Sequence, residues 1–269
     1  MPTTRFLSTV AADLAVPTPS VSAAELAFYN RPETRAWWEA IPNNGQKLQA
    51  KNYWEDRKGG FRLLPANALK PSSLATGGPD ASPVVQSLTT GVDPDLLVSP
   101  SGEVVAPAGD LCLWAVVKAG ANSTATVMSL IGNNGGSLSL RVRNSNLAQA
   151  VVYNAGFLTR ISQTLDSSTY HLVQLNYNHA AGEISIWSNG VLLSGTTPPS
   201  GKFAYTHGFP STRIAVLGLY DLTLGDQDIF TRTMPIAMCG VATTHAPDNP
   251  TWQAALRAMV AEKYPSLGL

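Results

Sequence analysis

The sequence predicts an all-β protein built as an antiparallel sandwich. Two observations carry this. The stretch Thr169–Leu193 reads as two alternating strands joined by a short polar turn containing Gly182 and closing on an Asn189-Gly190 turn. In its first strand His171, Val173, Leu175 and Tyr177 share one face, and Gln174, Asn176 and Asn178 the other; in the second, Ile184 and Ile186 oppose Ser185 and Trp187. A period of two is what a half-buried antiparallel sheet requires. From residue 110 onward, further short strands recur at regular spacing, as sandwiches demand.

The bulk properties bound the answer. A chain of 269 residues accommodates one large all-β domain or two smaller ones, and 44% hydrophobic residues supply a sizeable core. Charged residues make up only 13%, with 18 cations against 18 anions, so the chain lacks the electrostatic footprint of a nucleic-acid or acidic-membrane binder. Such a surface must be rich in Ser, Thr, Asn and Gly, a composition common in extracellular and virion proteins. No apolar run reaches the ~18 residues of a membrane span. Arg5 and an apolar stretch broken by Asp13 make a poor secretory signal, so the expectation is a chain that stays in the cytosol, leaves by lysis or has lost its leader. Two cysteines, Cys112 and Cys239, make no disulfide framework and read first as small buried apolar side chains.

Along the chain, residues 1–45 read as an N-terminal arm. Ser22 and Glu25 form a capping-box pattern ahead of Leu26, Ala27 and Phe28. Pro32 is expected to start a second short helix carrying Trp37 and Trp38 and stopping near Pro42, while Pro17 and Pro19 mark extended chain. Phe28, Trp37 and Trp38 then need a partner surface, either the chain's own sandwich or a neighbouring subunit in an assembly. Residues 46–269 form the sandwich. Its first part is loop-rich, with Ser82–Leu88 as an edge segment because Pro83 is tolerated only at an edge or strand start. Leu111–Lys118 is apolar on both faces and so is central. Thr126–Ile131, Ser137–Arg143, Ala148–Tyr153, Thr159–Ile161, Arg213–Leu219 and Met234–Val241 are the other strands, and in Ser137–Arg143 Leu138, Leu140 and Val142 alternate with polar partners. The chain closes on a helix, with Asn249 as N-cap, Pro250 in the first turn and Trp252, Leu256, Met259, Val260 and Tyr264 on its inward face.

The order of residues in Thr169–Leu193 resembles the central hairpin of laminin-G-like domains in the concanavalin A-like lectin superfamily. Asn52-Tyr-Trp-Glu-Asp-Arg-Lys-Gly-Gly60 before Phe61–Leu64 is similar to the turn that opens many such domains. A last strand followed by a helix ending in Lys263-Tyr264 resembles the close of bacterial and phage relatives. The resemblance implies a jelly-roll sandwich from about residue 46 to 269. It also implies that Leu111–Lys118 pairs with the last strand, bringing Cys112 and Cys239 near each other; a disulfide requires Cα atoms within ~7 Å. The fold hosts lectins, hydrolases and purely structural domains alike.

Residue chemistry points away from catalysis. A retaining glycosidase needs two carboxylates ~5 Å apart, and the Glu-x-Asp-x-x-Glu pattern of one hydrolase branch is missing. Asp226 and Asp228 stand at i, i+2 but in a turn; they are the best oxygen ligands for the one candidate ion, calcium, which many laminin-G domains hold. Asp56 reads as a stabiliser of its own turn. None of the four histidines, His171, His179, His207 and His245, has a metal-ligand or triad partner in sequence. For glycan recognition, the candidates are Trp187, which is out of phase with Ile184 and Ile186 and reads first as a packing residue, the loop cluster Tyr205, His207 and Phe209, and the polar turn Asn133-Asn134. The expectation is a non-enzymatic virion protein of a tailed bacteriophage, a capsid decoration, fibre or other surface component. It would self-associate, contact other virion proteins and bind host-surface glycans, without cofactor. A secreted bacterial carbohydrate-binding module is the alternative, and a glycan-cleaving hydrolase or lyase the third reading.

Overall fold

A computed structural model describes residues 21–40, 53–58, 60–65, 73–86, 97–100, 109–119, 125–131, 137–143, 147–154, 157–196, 213–216 and 235–269. In chain order its elements are helix α1 (Ala23–Tyr29) and strand β1 (Thr34–Glu39), then the short strands β2 (Trp54–Glu55), β3 (Arg62–Pro65), β4 (Ser73–Thr76), β5 (Pro83–Gln86) and β6 (Leu97–Val98). The longer strands follow: β7 (Leu111–Lys118), β8 (Ala125–Ile131), β9 (Ser137–Arg143), β10 (Leu147–Asn154), β11 (Phe157–Thr164), β12 (Tyr170–Asn178), β13 (Glu183–Ser188) and β14 (Val191–Thr196). Strands β15 (Arg213–Val216) and β16 (Ile236–Ala242) and helix α2 (Pro250–Lys263) complete the described elements.

The strands form two antiparallel sheets. The first runs β14-β13-β12-β7-β16-β5-β4, with β1 also paired to β16; the second runs β11-β10-β9-β8-β15-β6-β3-β2. Leu113, Ala115 and Val117 of β7 meet Val173, Leu175, Tyr177, Ile184 and Ile186 on the inner face of the first sheet, and Met128, Leu130, Leu138 and Leu140 come from the second. This is the all-β jelly-roll sandwich with a closing helix that the sequence predicts.

The other face of β7 is equally apolar. Cys112, Trp114 and Val116 are covered by Phe28 of α1, by Trp37 and by Trp252, Leu256, Met259 and Val260 of α2. Both helices start as expected: the Ser22 hydroxyl accepts the Glu25 amide at 3.0 Å, and Asn249 Oδ1 accepts the Trp252 amide at 3.0 Å. Phe28 stands edge-on to Trp37 and Trp114, with ring centroids 5.3 and 5.8 Å apart.

Residues 34–39 correct one expectation. They form a strand, not a helix, with Trp37 opposite Gly240 and Trp38 opposite Cys239. The alternation of a strand sends Trp38 into the inter-sheet core and Trp37 beneath the helices, and both are fully buried. A helix would have put adjacent tryptophans on one side, leaving one of these two layers short of an aromatic ring. The far edge of β1 is closed by the 56–60 turn, where Asp56 accepts the amides of Trp37, Lys58 and Gly60 at 2.9, 3.0 and 3.2 Å. Asp56 therefore does stabilise its own turn; burial pushes its carboxyl up despite these bonds. Phe28, Trp37 and Trp38 fill the chain's own core, so they are not aromatics left exposed for assembly. Residues 22–40 are packed into the sandwich.

The cysteines correct another. β7 and β16 do pair, as the resemblance implied, but Cys239 stands opposite Ala115 and Cys112 opposite Ala242. Cys239 faces the inter-sheet core and Cys112 the helices, so the sheet itself separates two free, buried thiols. Burial pushes both thiols well above their ordinary value.

Four charged side chains fasten the rim of this outer layer. Lys263 Nζ lies 2.8 and 3.0 Å from the Glu39 carboxylate and 3.1 Å from Glu25 Oε2, while Arg57 bonds Glu25 and stands 3.4 Å from Glu39. Burial raises Glu25, but Arg57 and Lys263 outweigh it and hold the carboxyl below its ordinary value. A depressed carboxylate adds stability that is present above its unfolded value and is lost as pH falls through its folded one. Denaturant midpoints should therefore drop on acidification below the ordinary carboxylate range, and Glu25→Gln should flatten that part of the profile. At Gly240 a Cβ would meet Trp114 ring atoms at 2.5 and 2.6 Å and the Ala36 carbonyl at 2.8 Å. Gly240→Ala should cost about 1–3 kcal/mol, read as a lower denaturant midpoint at unchanged m-value.

Candidate functional site

Trp187 leaves the core face, as its phase demands. It stands opposite Gln174 of β12 and Leu192 of β14, while Ser185 stands opposite Asn176. Gln174 and Asn176 in turn oppose Trp114 and Cys112 of β7. A bulge between Ile186 and Trp187 shifts the register of β14. Leu193 thereby packs against the core, while Val191 and Leu192 stay 63% and 53% exposed on an edge strand. Trp187 is half-buried, and its indole Nε1 donates to Ser185 Oγ at 3.0 Å, which fixes the ring.

Helix α2 runs along β12 beside this tryptophan. Asn178 Nδ2 donates to Asp248 Oδ2 at 3.3 Å where the helix begins. Nearer its other end, the Arg257 guanidinium packs over the 189–190 turn: a Cβ on Gly190, where φ is +81°, would stand 2.9 Å from Arg257 Cζ. Glycine is required there by both the backbone conformation and the close approach. The same turn is tied to the start of β12 by Asn189 Oδ1, which accepts the Leu172 amide at 2.9 Å.

The seam between α2 and β12–β13 is rich in polar groups without partners. Gln174 and Asn176 are fully buried. Gln174 Oε1, both side-chain polar atoms of Asn176, Gln253 Nε2 and Arg257 Nε make no hydrogen bond. Gln174 Nε2 reaches only the Cys112 sulfur, at 3.8 Å. Each such buried group costs about 1–3 kcal/mol unless something polar meets it. The rim at Ser185, Trp187, Asn189, Gln253 and Arg257 is half-exposed.

Other polar groups are accounted for by the fold. The His171 Nε2–H donates to the Asp166 carbonyl at 2.8 Å, leaving Nδ1 to accept from Ser188 Oγ at 3.2 Å; this histidine ties a loop to β13. His179 Nδ1 lies 3.3 Å from the Tyr177 hydroxyl, and His245 Nδ1 lies 2.8 Å from Asp248 Oδ2. Among the described residues, no three His, Cys, Asp or Glu side chains are grouped to hold a metal. A second buried polar row, Thr126, Ser129, Ser139, Arg141 and Gln149, lines the second sheet, where Gln149 Nε2 donates to Ser162 Oγ at 2.7 Å. Asn133, Asn134, Tyr205, His207, Phe209, Asp226 and Asp228 lie outside the described residues.

Of the sequence candidates, the structure thus describes Trp187 and surrounds it with residues the sequence did not single out. Gln174 and Asn176 had left a signal: two amides alternate on the face that adjoins the doubly apolar strand β7. Gln253 and Arg257, at i and i+4 beside the inward stripe of α2, had left almost none.

No family model matches the chain, and no curated protein matches its sequence. Solved structures share its fold. The binding domain of botulinum neurotoxin DC, in complex with rat synaptotagmin II, superposes with a TM-score of 0.57 at 12% identity, over 84% of this chain and 52% of that one. Trypanosoma rangeli sialidase gives 0.56 at 12% identity, over 87% and 33%. A botulinum neurotoxin type C structure, described by a cell entry dependent on two ganglioside molecules, gives 0.51 at 13% identity, over 83% and 51%. The chain therefore spans about half the length of the toxin chains and a third of the sialidase chain. What these proteins and this chain have in common is the lectin-like jelly-roll sandwich.

The orphaned groups of the seam bear on stability. Asn176→Leu removes two of them at similar volume, so it should raise the unfolding free energy by about 1 kcal/mol, measured by denaturant titration; a comparable loss would mean that the amide is satisfied in solution.

Proposed function

We propose that this chain is a non-enzymatic, glycan-binding domain displayed on the surface of a bacteriophage particle. The observation that carries the glycan reading is the half-exposed Trp187 in the β13–β14 hairpin, with Arg257 packed on that hairpin's turn. An aromatic face offers a sugar its apolar side, and polar groups at the rim answer its hydroxyls. Binding is favoured over cleavage because Gln174, Asn176, Ser185, Gln253 and Arg257 include no carboxylate, and Asp248, where the seam begins, is held by Asn178 and His245. The virion reading draws on the uncharged, hydroxyl-rich composition, with 13% charged residues and equal numbers of each sign. On this reading host-surface glycans and other virion proteins are the partners, and the protein self-associates. Calcium has no assigned role.

The test is a glycan array followed by calorimetry on the purified chain. Wild type should bind a defined set of oligosaccharides, and Trp187→Ala, checked for folding by circular dichroism, should weaken binding at least tenfold. Unchanged affinity in that variant, or an array without hits, overturns the reading. Mass spectrometry of purified particles tests the location: recovery with virions supports a virion protein, and recovery only from a bacterial secreted fraction supports the carbohydrate-binding module.

A further inference from the structure

We infer that the seam selects acidic sugars, with Arg257 pairing the ligand's carboxylate. This rests on the glycan reading above and names its substrate class. Arg257 is the cation at the rim of the seam. Its Nε is buried and without a hydrogen-bond partner, and no Asp or Glu pairs with it among the described residues. An arginine held against protein in this state is far from its preferred condition, because a guanidinium presents a planar fork of donors shaped for two carboxylate oxygens.

The surroundings hold the fork in place. The Asn189-Gly190 turn receives it, because glycine leaves open the space the guanidinium fills: any Cβ at position 190 would stand 2.9, 2.9 and 3.0 Å from Arg257 Cζ, Nη1 and Nε. That turn is itself fixed to β12 through the Asn189 side chain. Gln253, one helical turn earlier, stands on the same side of α2 with a buried, unpartnered amide N–H. Trp187, three residues before Gly190 in the β13–β14 hairpin, offers a ring whose own N–H is already committed to Ser185. The set therefore combines one cation for a carboxylate and an aromatic face for the ring. A neutral sugar would leave the guanidinium unanswered.

The experiment compares oligosaccharides ending in sialic, glucuronic or galacturonic acid with the methyl ester of each, by calorimetry on the full chain. The acid should bind at least tenfold more tightly than its ester, and the difference should shrink as salt is raised. Arg257→Gln should abolish the acid-to-ester ratio, whatever its effect on ester affinity. Arg257→Lys, which keeps the charge but loses the fork, should retain only part of the ratio. A purely structural role for Arg257 would lower both affinities together and leave the ratio intact, which overturns the inference. Equal binding of acid and ester by wild type also overturns it and leaves the glycan reading standing; binding of neither overturns both.

Discussion

The pairing of β7 with β16 carries apolar side chains on both faces, and much of the molecule answers that one fact. A sheet buried on one side can leave its other face to water, but Cys112, Trp114, Val116, Met238 and Ala242 cannot face solvent. The inner face is met by the second sheet. The outer face requires a second cover, supplied from both ends of the described chain: α1 and Trp37 from one, α2 from the other. Gly240 shows how close that cover lies, since Trp114 and the Ala36 carbonyl occupy the space a Cβ would take. The Glu25–Arg57–Glu39–Lys263 network then joins α1, β1 and α2 at the rim, where the pairing offsets the desolvation of two buried carboxylates.

The cover does not end where the apolar surface ends. α2 continues along β12, and there the sheet presents Gln174 and Asn176 instead of Leu172 and Val116. A helix that buries amides without answering them forgoes stability, and proteins keep such arrangements where function uses them. The buried amides give way, across one strand, to Trp187 and the exposed β14 edge. The proposed recognition site is thus the margin of the structural cover, the place where helix and sheet separate in chemistry while still touching.

How much of this was legible depended on the range of the interactions involved. The β12–β13 hairpin, the doubly apolar β7, the capped α1 and the whole of α2 were readable because alternation, helical spacing and capping are local. Trp37 and Trp38 were misread for an equally local reason. A Pro followed by a short mixed segment has no periodicity long enough to separate helix from strand, and the deciding partner, Gly240, lies in the last strand, far along the chain. The cysteines read correctly as buried free side chains, but the nearness that the resemblance implied for them failed differently. The strand pairing was right, but the register offset between the two strands decides which face each thiol takes, and register is set by the whole sheet.

The sequence alone therefore determined the class of fold, the identity of its central strand, the phase of Trp187 and the position of the closing helix, because each is written as a period or a cap within a few neighbouring residues. Only the tertiary structure decided that Trp37 and Trp38 complete the core, that Cys112 and Cys239 lie on opposite sides of a sheet, and that Arg257 packs on Gly190. Those juxtapositions join residues from distant parts of the chain through packing and register, and no local pattern encodes them.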